Sequence, residues 1–149
     1  MKSILTLLLF LLSLSLIMAS SPFVGEWKLT ETLDQDGKVI PLPESQRSSS
    51  FVIRIYQNEN DDTSNQFRLN TKIGNTMNTK FELLGGDTPE SQEVKFGGVM
   101  STMMMPSRDL YGLEKYLSKT LEKVTSLKLT ADNVLVFGGE GGTFSCVQN

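Results

Sequence analysis

The sequence predicts a mainly β protein of the α+β class: a single antiparallel, barrel-like sheet with one amphipathic helix before the last strands. Three observations predict it. Apolar residues alternate with a period of two over most of the chain, turn formers separate the alternating segments, and one segment alone shifts to helical spacing.

The first strand carries Phe23, Gly25, Trp27 and Leu29 in register. Phe51, Ile53 and Ile55 share a face in the second, and Phe67, Leu69 and Thr71 in the third. Met77, Phe81 and Leu83 do so in the fourth, and Val94 and Phe96 in the fifth. Successive strand side chains point to opposite sides, so each set forms one core-facing row. Asp36-Gly37, the polar run from 58 to 64, Gly74-Asn75 and Gly85-Gly86-Asp87 are the expected turns.

The period changes after Pro106-Ser107. Leu110, Leu113, Leu117, Leu121 and Val124 form one apolar stripe, which predicts an α-helix of about four turns. Ser107 is the expected N-cap, and Asp109 suits the positive end of the helix dipole. Gly112 weakens the helix by about 1 kcal/mol relative to alanine, which the five stripe residues outweigh. Lys115, Lys119 and Lys123, interleaved with Glu114 and Glu122, make the solvated face. Leu127 and Leu129, then Val134 to Phe137, then Thr143 to Val147 resume the strand rhythm. The turn Ala131-Asp132-Asn133 and the glycine-rich loop Gly138 to Gly142 separate them.

Ahead of the domain lies an export signal. Lys2 is its charged start, Ile4 to Met18 is apolar apart from Thr6, Ser13 and Ser15, and Ala19, Ser20 and Ser21 are small. Residues 1–19 are expected to be removed, with cleavage after Ala19 preferred to cleavage after Ser20, leaving the domain at 21–149. The apolar run is shorter than the about 20 residues a membrane-crossing helix needs. No transmembrane segment is therefore expected in the mature chain, and its expected place is outside the cell or in the secretory-pathway lumen. Roughly 130 residues then remain, which fits one domain. Cys146 is the single cysteine, so no intramolecular disulfide can form. A buried, inert thiol is expected in preference to an intermolecular bridge.

The absence of histidine removes Ser-His-Asp and Cys-His catalysis and histidine-based zinc sites. No enzyme activity and no cofactor are expected. A formal net charge of −3 without any basic stripe argues against a nucleic-acid partner. Asp34-Gln35-Asp36-Gly37 opens like a calcium loop, but Pro43 stands where the closing bidentate glutamate belongs, so a hairpin turn is expected. Asn58 to Asp62 is expected to be a solvated loop. Met100, Met103, Met104 and Met105 carry soft thioethers of the kind that suits Cu(I). Strand alternation would scatter them over two faces, and core packing is their expected role. Gly138-Gly139-Glu140-Gly141-Gly142 lacks the following helix of a phosphate cradle and is expected to be a hairpin loop with several positive-φ positions.

The order of motifs resembles the META domain (HslJ-like) family. The residues that carry the resemblance are Gly25-Glu26-Trp27-Lys28-Leu29, then Gly74-Asn75 with Phe81, then Ser101-Thr102-Met103-Met104-Met105-Pro106. Leu113-Glu114 with Tyr116-Leu117, and Leu135-Val136-Phe137 before Gly142-Thr143-Phe144, complete it. The likeness covers nearly the whole mature chain and is strongest from Val99 to Phe144. One departure is clear: the family usually has a cysteine just before the proline, where this chain has Met105. The resemblance implies a small β-barrel-like domain with one helix, often exported or membrane-associated in bacteria. It also implies links to stress tolerance and, in protozoan parasites, to virulence and secretion. It brings no established reaction and no catalytic residues.

The leading expectation is a secreted, non-enzymatic META-like domain that binds a protein partner or a small apolar ligand. Barrels of about eight strands have room for side chains or one small ligand. Trp27, Phe51, Phe67, Phe81 and Phe96 are the candidate interior ligand contacts, plain core being the commoner fate of such residues. The alternative is a lipocalin-like or fatty-acid-binding-protein-like carrier, because Phe23-Val24-Gly25-Glu26-Trp27 is similar to the Gly-x-Trp opening of those barrels. Against it, the helix lies between late strands and the chain is short. A secreted protease inhibitor is the third class, and it would need a braced loop that no disulfide here preorganises. A carrier needs an apolar cavity on the order of several hundred Å³. A partner-binding module needs an exposed apolar patch.

Overall fold

The computed structural model describes residues 21–43, 51–57 and 65–149. The expected signal peptide at 1–19 and the expected loop at Asn58 to Asp62 lie outside the described residues. Within them, β1 (Gly25–Leu33), β2 (Val52–Tyr56), β3 (Gln66–Lys72), β4 (Thr76–Thr88) and β5 (Ser91–Phe96) pair in succession. A two-residue strand, β6 (Met100–Ser101), pairs outside this run with β4. Helix α1 (Arg108–Glu122) follows, then β7 (Val124–Leu129), β8 (Val134–Gly139) and β9 (Gly142–Gln148). β7 joins β5, β8 joins β7, and β9 lies between β8 and β1. All pairs are antiparallel, and because β3 also pairs with β4, eight strands close into a barrel. Closure satisfies the backbone groups that an open sheet would leave unpaired at its edges.

The alternation read from the sequence faces inward as expected. Trp27, Leu29, Ile53, Ile55, Phe67 and Leu69 are all buried, as are Met77, Phe81, Val94 and Phe96 on the next strands. Five phenylalanine rings form a run across the interior. Phe67 to Phe81 is 5.3 Å between ring centres, Phe81 to Phe96 4.8 Å, Phe96 to Phe137 6.5 Å and Phe137 to Phe144 4.3 Å. These separations suit the attraction between ring edges and faces, which adds to the burial of apolar area. Cys146 is buried in the same core, and loss of hydration pushes its thiol well above the ordinary range. A thiol held protonated is a poor nucleophile, so it acts as a small apolar residue.

α1 closes one end of this barrel. Leu113, Leu117, Thr120 and Leu121 face the core. Tyr116 donates its hydroxyl to the carbonyls of Leu33, at 2.6 Å, and Thr143, at 3.1 Å. It thereby ties the helix to the end of β1 and the start of β9. Burial raises the Tyr116 phenol above its ordinary value. A group whose folded pKa is raised stabilises fully below its unfolded pKa, here about 10, and loses that contribution as pH climbs through the folded value. Tyr116→Phe is expected to lower stability by about 1 kcal/mol at neutral pH. Thermal melts above about pH 10 should show the wild-type midpoint falling more steeply with pH than that of the variant.

Four local expectations are corrected. Gly85-Gly86-Asp87 is not a turn: β4 runs on to Thr88 and the chain reverses at Pro89-Glu90. Gly85, at φ +123°, sits at a register shift, and a Cβ on Gly86 would lie 1.7 Å from the Ser91 carbonyl oxygen. The pair serves a bulge and a close strand approach. Val124 belongs to β7 and not to the helical stripe, since α1 ends at Glu122 and the strand starts almost at once. Ser107 is the N-cap, but its side chain makes no capping hydrogen bond. The 138–142 loop is a tight two-residue hairpin in which Gly142 alone has positive φ. Asp34 to Gly37 does form the expected turn, with Asp34 Oδ1 accepting from the Asp36 and Lys38 amides at 2.9 Å each.

Candidate functional site

The methionine segment is where the structure departs furthest from expectation. Met100, Met103, Met104 and Met105 are 71%, 98%, 63% and 96% exposed, so none of them packs in the core. The reason is the length of β6: the chain leaves the sheet after two residues, and strand alternation no longer assigns an inner face. One thioether, that of Met100, therefore stands in solvent on β6 itself, and three more stand between β6 and α1.

The backbone beneath them is tightly held. Asn75, only 3% exposed in the β3–β4 turn, spends its whole amide on this task. Its Nδ2 donates to the Met104 carbonyl at 2.8 Å and to Glu114 Oε1 at 2.6 Å. Its Oδ1 accepts from the Met104 amide at 2.7 Å and the Thr102 hydroxyl at 3.0 Å. Glu114 Oε2 accepts in turn from the Gly74 and Asn75 amides, at 3.2 and 2.9 Å. Thr102 completes the ring by accepting from the Thr76 amide at 3.1 Å and donating its own amide to the Thr76 carbonyl at 3.1 Å. A Cβ at position 74 would lie 2.6 Å from Pro106 Cβ and 2.9 Å from Glu114 Oε2, so the turn must carry glycine there.

These contacts give a physical meaning to motifs that are far apart in the chain. Gly74-Asn75, Thr102, Pro106 and Glu114 meet at one point, where a turn, a loop and a helix are stapled together. An amide moves no proton at neutral pH, and both oxygens of Glu114 are occupied by N–H donors. The arrangement positions a loop. Sequence reading placed Gly74-Asn75 in a turn and Glu114 on the solvated helix face, and did not bring them together. The signal that could have joined them is the combination of a Gly-Asn turn, a Thr before a proline and a glutamate early in the helix.

The five aromatics singled out from the sequence are all buried: Trp27 3%, Phe51 5%, Phe67 2%, Phe81 3% and Phe96 8% exposed. Phe67, Phe81 and Phe96 stack on one another. Trp27 sits apart from that run and donates Nε1 to the Phe23 carbonyl at 2.8 Å.

The model of the family described as META domain matches residues 22–149. No curated protein is similar enough in sequence to count as a match. Among solved structures, the chain is similar to one titled "NMR structure of the protein from Burkholderia xenovorans". The two share 13% identity with a TM-score of 0.60, over 84% of this chain and 81% of the other. At that identity the likeness speaks to the fold alone.

Proposed function

We propose that this chain, which belongs to the META domain family, is an exported, non-enzymatic binding module that docks a protein partner on its methionine loop. The observation that carries the reading is the exposure of Met103, Met104 and Met105 on a backbone fixed by the buried Asn75 amide. Methionine is enriched where proteins meet, because its unbranched thioether moulds to irregular apolar surfaces. A loop already held in place loses little conformational entropy when a partner covers it. The stacked phenylalanines support docking outside the barrel over carriage of a ligand within it. Export is part of the same reading, supported by Lys2, the apolar run and the small residues that follow.

The test places a photo-crosslinking amino acid at Met103, at Met105, or at Lys38 in the exposed β1 turn, in cells that make the protein. A discrete adduct from the two methionine positions, absent from position 38, is expected. Exchanging Met103, Met104 and Met105 together for serine should abolish the adduct formed from a probe at Met100, with the melting midpoint unchanged. Equal adducts from position 38, or none from the loop, would remove the reading. Protein recovered from the medium should begin at Ser20 or Ser21.

A further inference from the structure

We infer that the outer face of β2, β3, β4 and β6 carries a site for a small organic anion with a flat apolar body. Its charged group would sit between Arg68 and Lys80, and its body would lie in the depression between Tyr56 and Met100. The site is separate from partner docking at Met103 to Met105 and does not depend on it.

Cross-strand register builds the site. Tyr56 pairs with Arg68 and Arg68 with Lys80, so the three form one row across β2, β3 and β4. Their neighbours Ile55, Leu69 and Phe81 face the core, so this row faces outward. A depression lies on each side of it, of about 270 Å³ beside Glu82 and Lys95 and about 290 Å³ beside Asn78 and Met100. Both share Arg68, Lys80 and Gly97 in their walls. Gly97 donates its amide to the Lys80 carbonyl at 2.9 Å and, with Gly98, continues the wall without any side chain to fill it. A Cβ on Gly98 would meet nothing within 4 Å. The hollow on the Met100 side therefore owes its space to these two glycines.

Charge selects the ligand. The chain as a whole carries −3, yet this face gathers Arg68, Lys80 and Lys95 against Glu82. Glu82 stands opposite Lys95 and accepts from Asn65 Nδ2 at 3.1 Å. Among the described residues, Arg68, Lys80 and Lys95 form no ion pair. Arg68 and Lys80 are direct cross-strand partners, an arrangement that weakens a sheet. An anion between them turns that repulsion into two attractions, and hydrogen bonds from charged donors are the strong ones. The exposed Tyr56 ring and the Met100 thioether give apolar walls for the rest of the ligand. The volume, near the lower end for small-molecule sites, limits the body to something of the size of one or two fused rings.

Titration with naphthalene sulfonate, against uncharged naphthylamine as the matched ring system, followed by the intrinsic fluorescence of the naphthalene ring, tests the inference. Saturable binding of the sulfonate is expected, weakening as salt is raised, with the neutral amine bound about tenfold more weakly or worse. K80E should weaken sulfonate binding by about tenfold or more, while raising the melting midpoint of the ligand-free protein by placing opposite charges across the strand pair. G98F should abolish binding by filling the hollow, with a folded circular-dichroism spectrum. The triple serine exchange at 103–105 should leave binding unchanged, so failure of partner docking and failure of this site are read separately. Equal binding of the neutral amine, no saturable binding of the sulfonate, or sulfonate binding indifferent to K80E and G98F would each overturn it.

Discussion

Replacing Asn75 with alanine is expected to lower stability by about 3 kcal/mol and to release the methionine loop. The side chain makes four hydrogen bonds, at 2.6 to 3.0 Å. Its loss strips the Met104 amide and carbonyl and one Glu114 oxygen of their partner at once. Leaving polar groups unsatisfied is costlier than the mean worth of a hydrogen bond suggests, because their lost hydration is no longer offset. Some of that loss is recovered when the freed loop turns toward water, which keeps the expected value below the sum of four unsatisfied groups. Denaturant unfolding gives the stability change. Hydrogen exchange gives the local effect: protection at the Met104 amide should vanish while that of the Leu69 amide, in a core strand, falls only with global stability. Glu114→Gln should have a smaller effect, since it keeps one acceptor for the Gly74 and Asn75 amides. Should Asn75→Ala leave Met104 protected, the clamp is not what holds the loop.

The second large effect is expected at Phe137. It is fully buried and stands between Phe96 and Phe144, touching one at a tilt and stacking on the other. Phe137→Ala removes the link between the β3–β4–β5 rings and those of β8–β9, and leaves a cavity that closed barrel walls cannot easily collapse into. About 4 kcal/mol is expected, within the range for a phenylalanine truncated in a packed core. For a domain of this size the melting midpoint should fall on the order of 10 °C. Tyr111→Ala, on the exposed side of α1, should change stability by no more than about 0.5 kcal/mol. A loss below about 1 kcal/mol at Phe137 would mean that the interior is loosely filled.

Most of the barrel was legible because a two-residue period has one structural meaning when each strand buries one face. Phe67, Leu69 and Thr71 could point inward together only in a strand, and they do. The helix was equally plain from Leu113, Leu117 and Leu121. Legibility failed where a residue's role is set by a distant neighbour. Gly85-Gly86 has the composition of a turn, and only the approach of Ser91 shows that it is a bulge. The methionines have the composition of a core, and only the brevity of β6 shows that they are outside it. Asn75 and Glu114, 39 positions apart, are ordinary surface residues until the fold joins them. Local composition carries no information about such pairings, which is why the candidate site was the least readable part.

The pairing of β1 with β9 has a consequence for how the molecule comes into being. Thr30 and Ser145, 115 positions apart, hydrogen-bond across that seam. Until the last strand arrives, β1 has a companion on one flank only, and β8 likewise offers a row of unmet amides and carbonyls. The entropic penalty for so wide a loop grows only with the logarithm of its length, but assembly dominated by such remote partners is slow. A newly made chain therefore passes through an interval with two sticky flanks, during which neighbouring copies compete with the correct strand for the same hydrogen bonds.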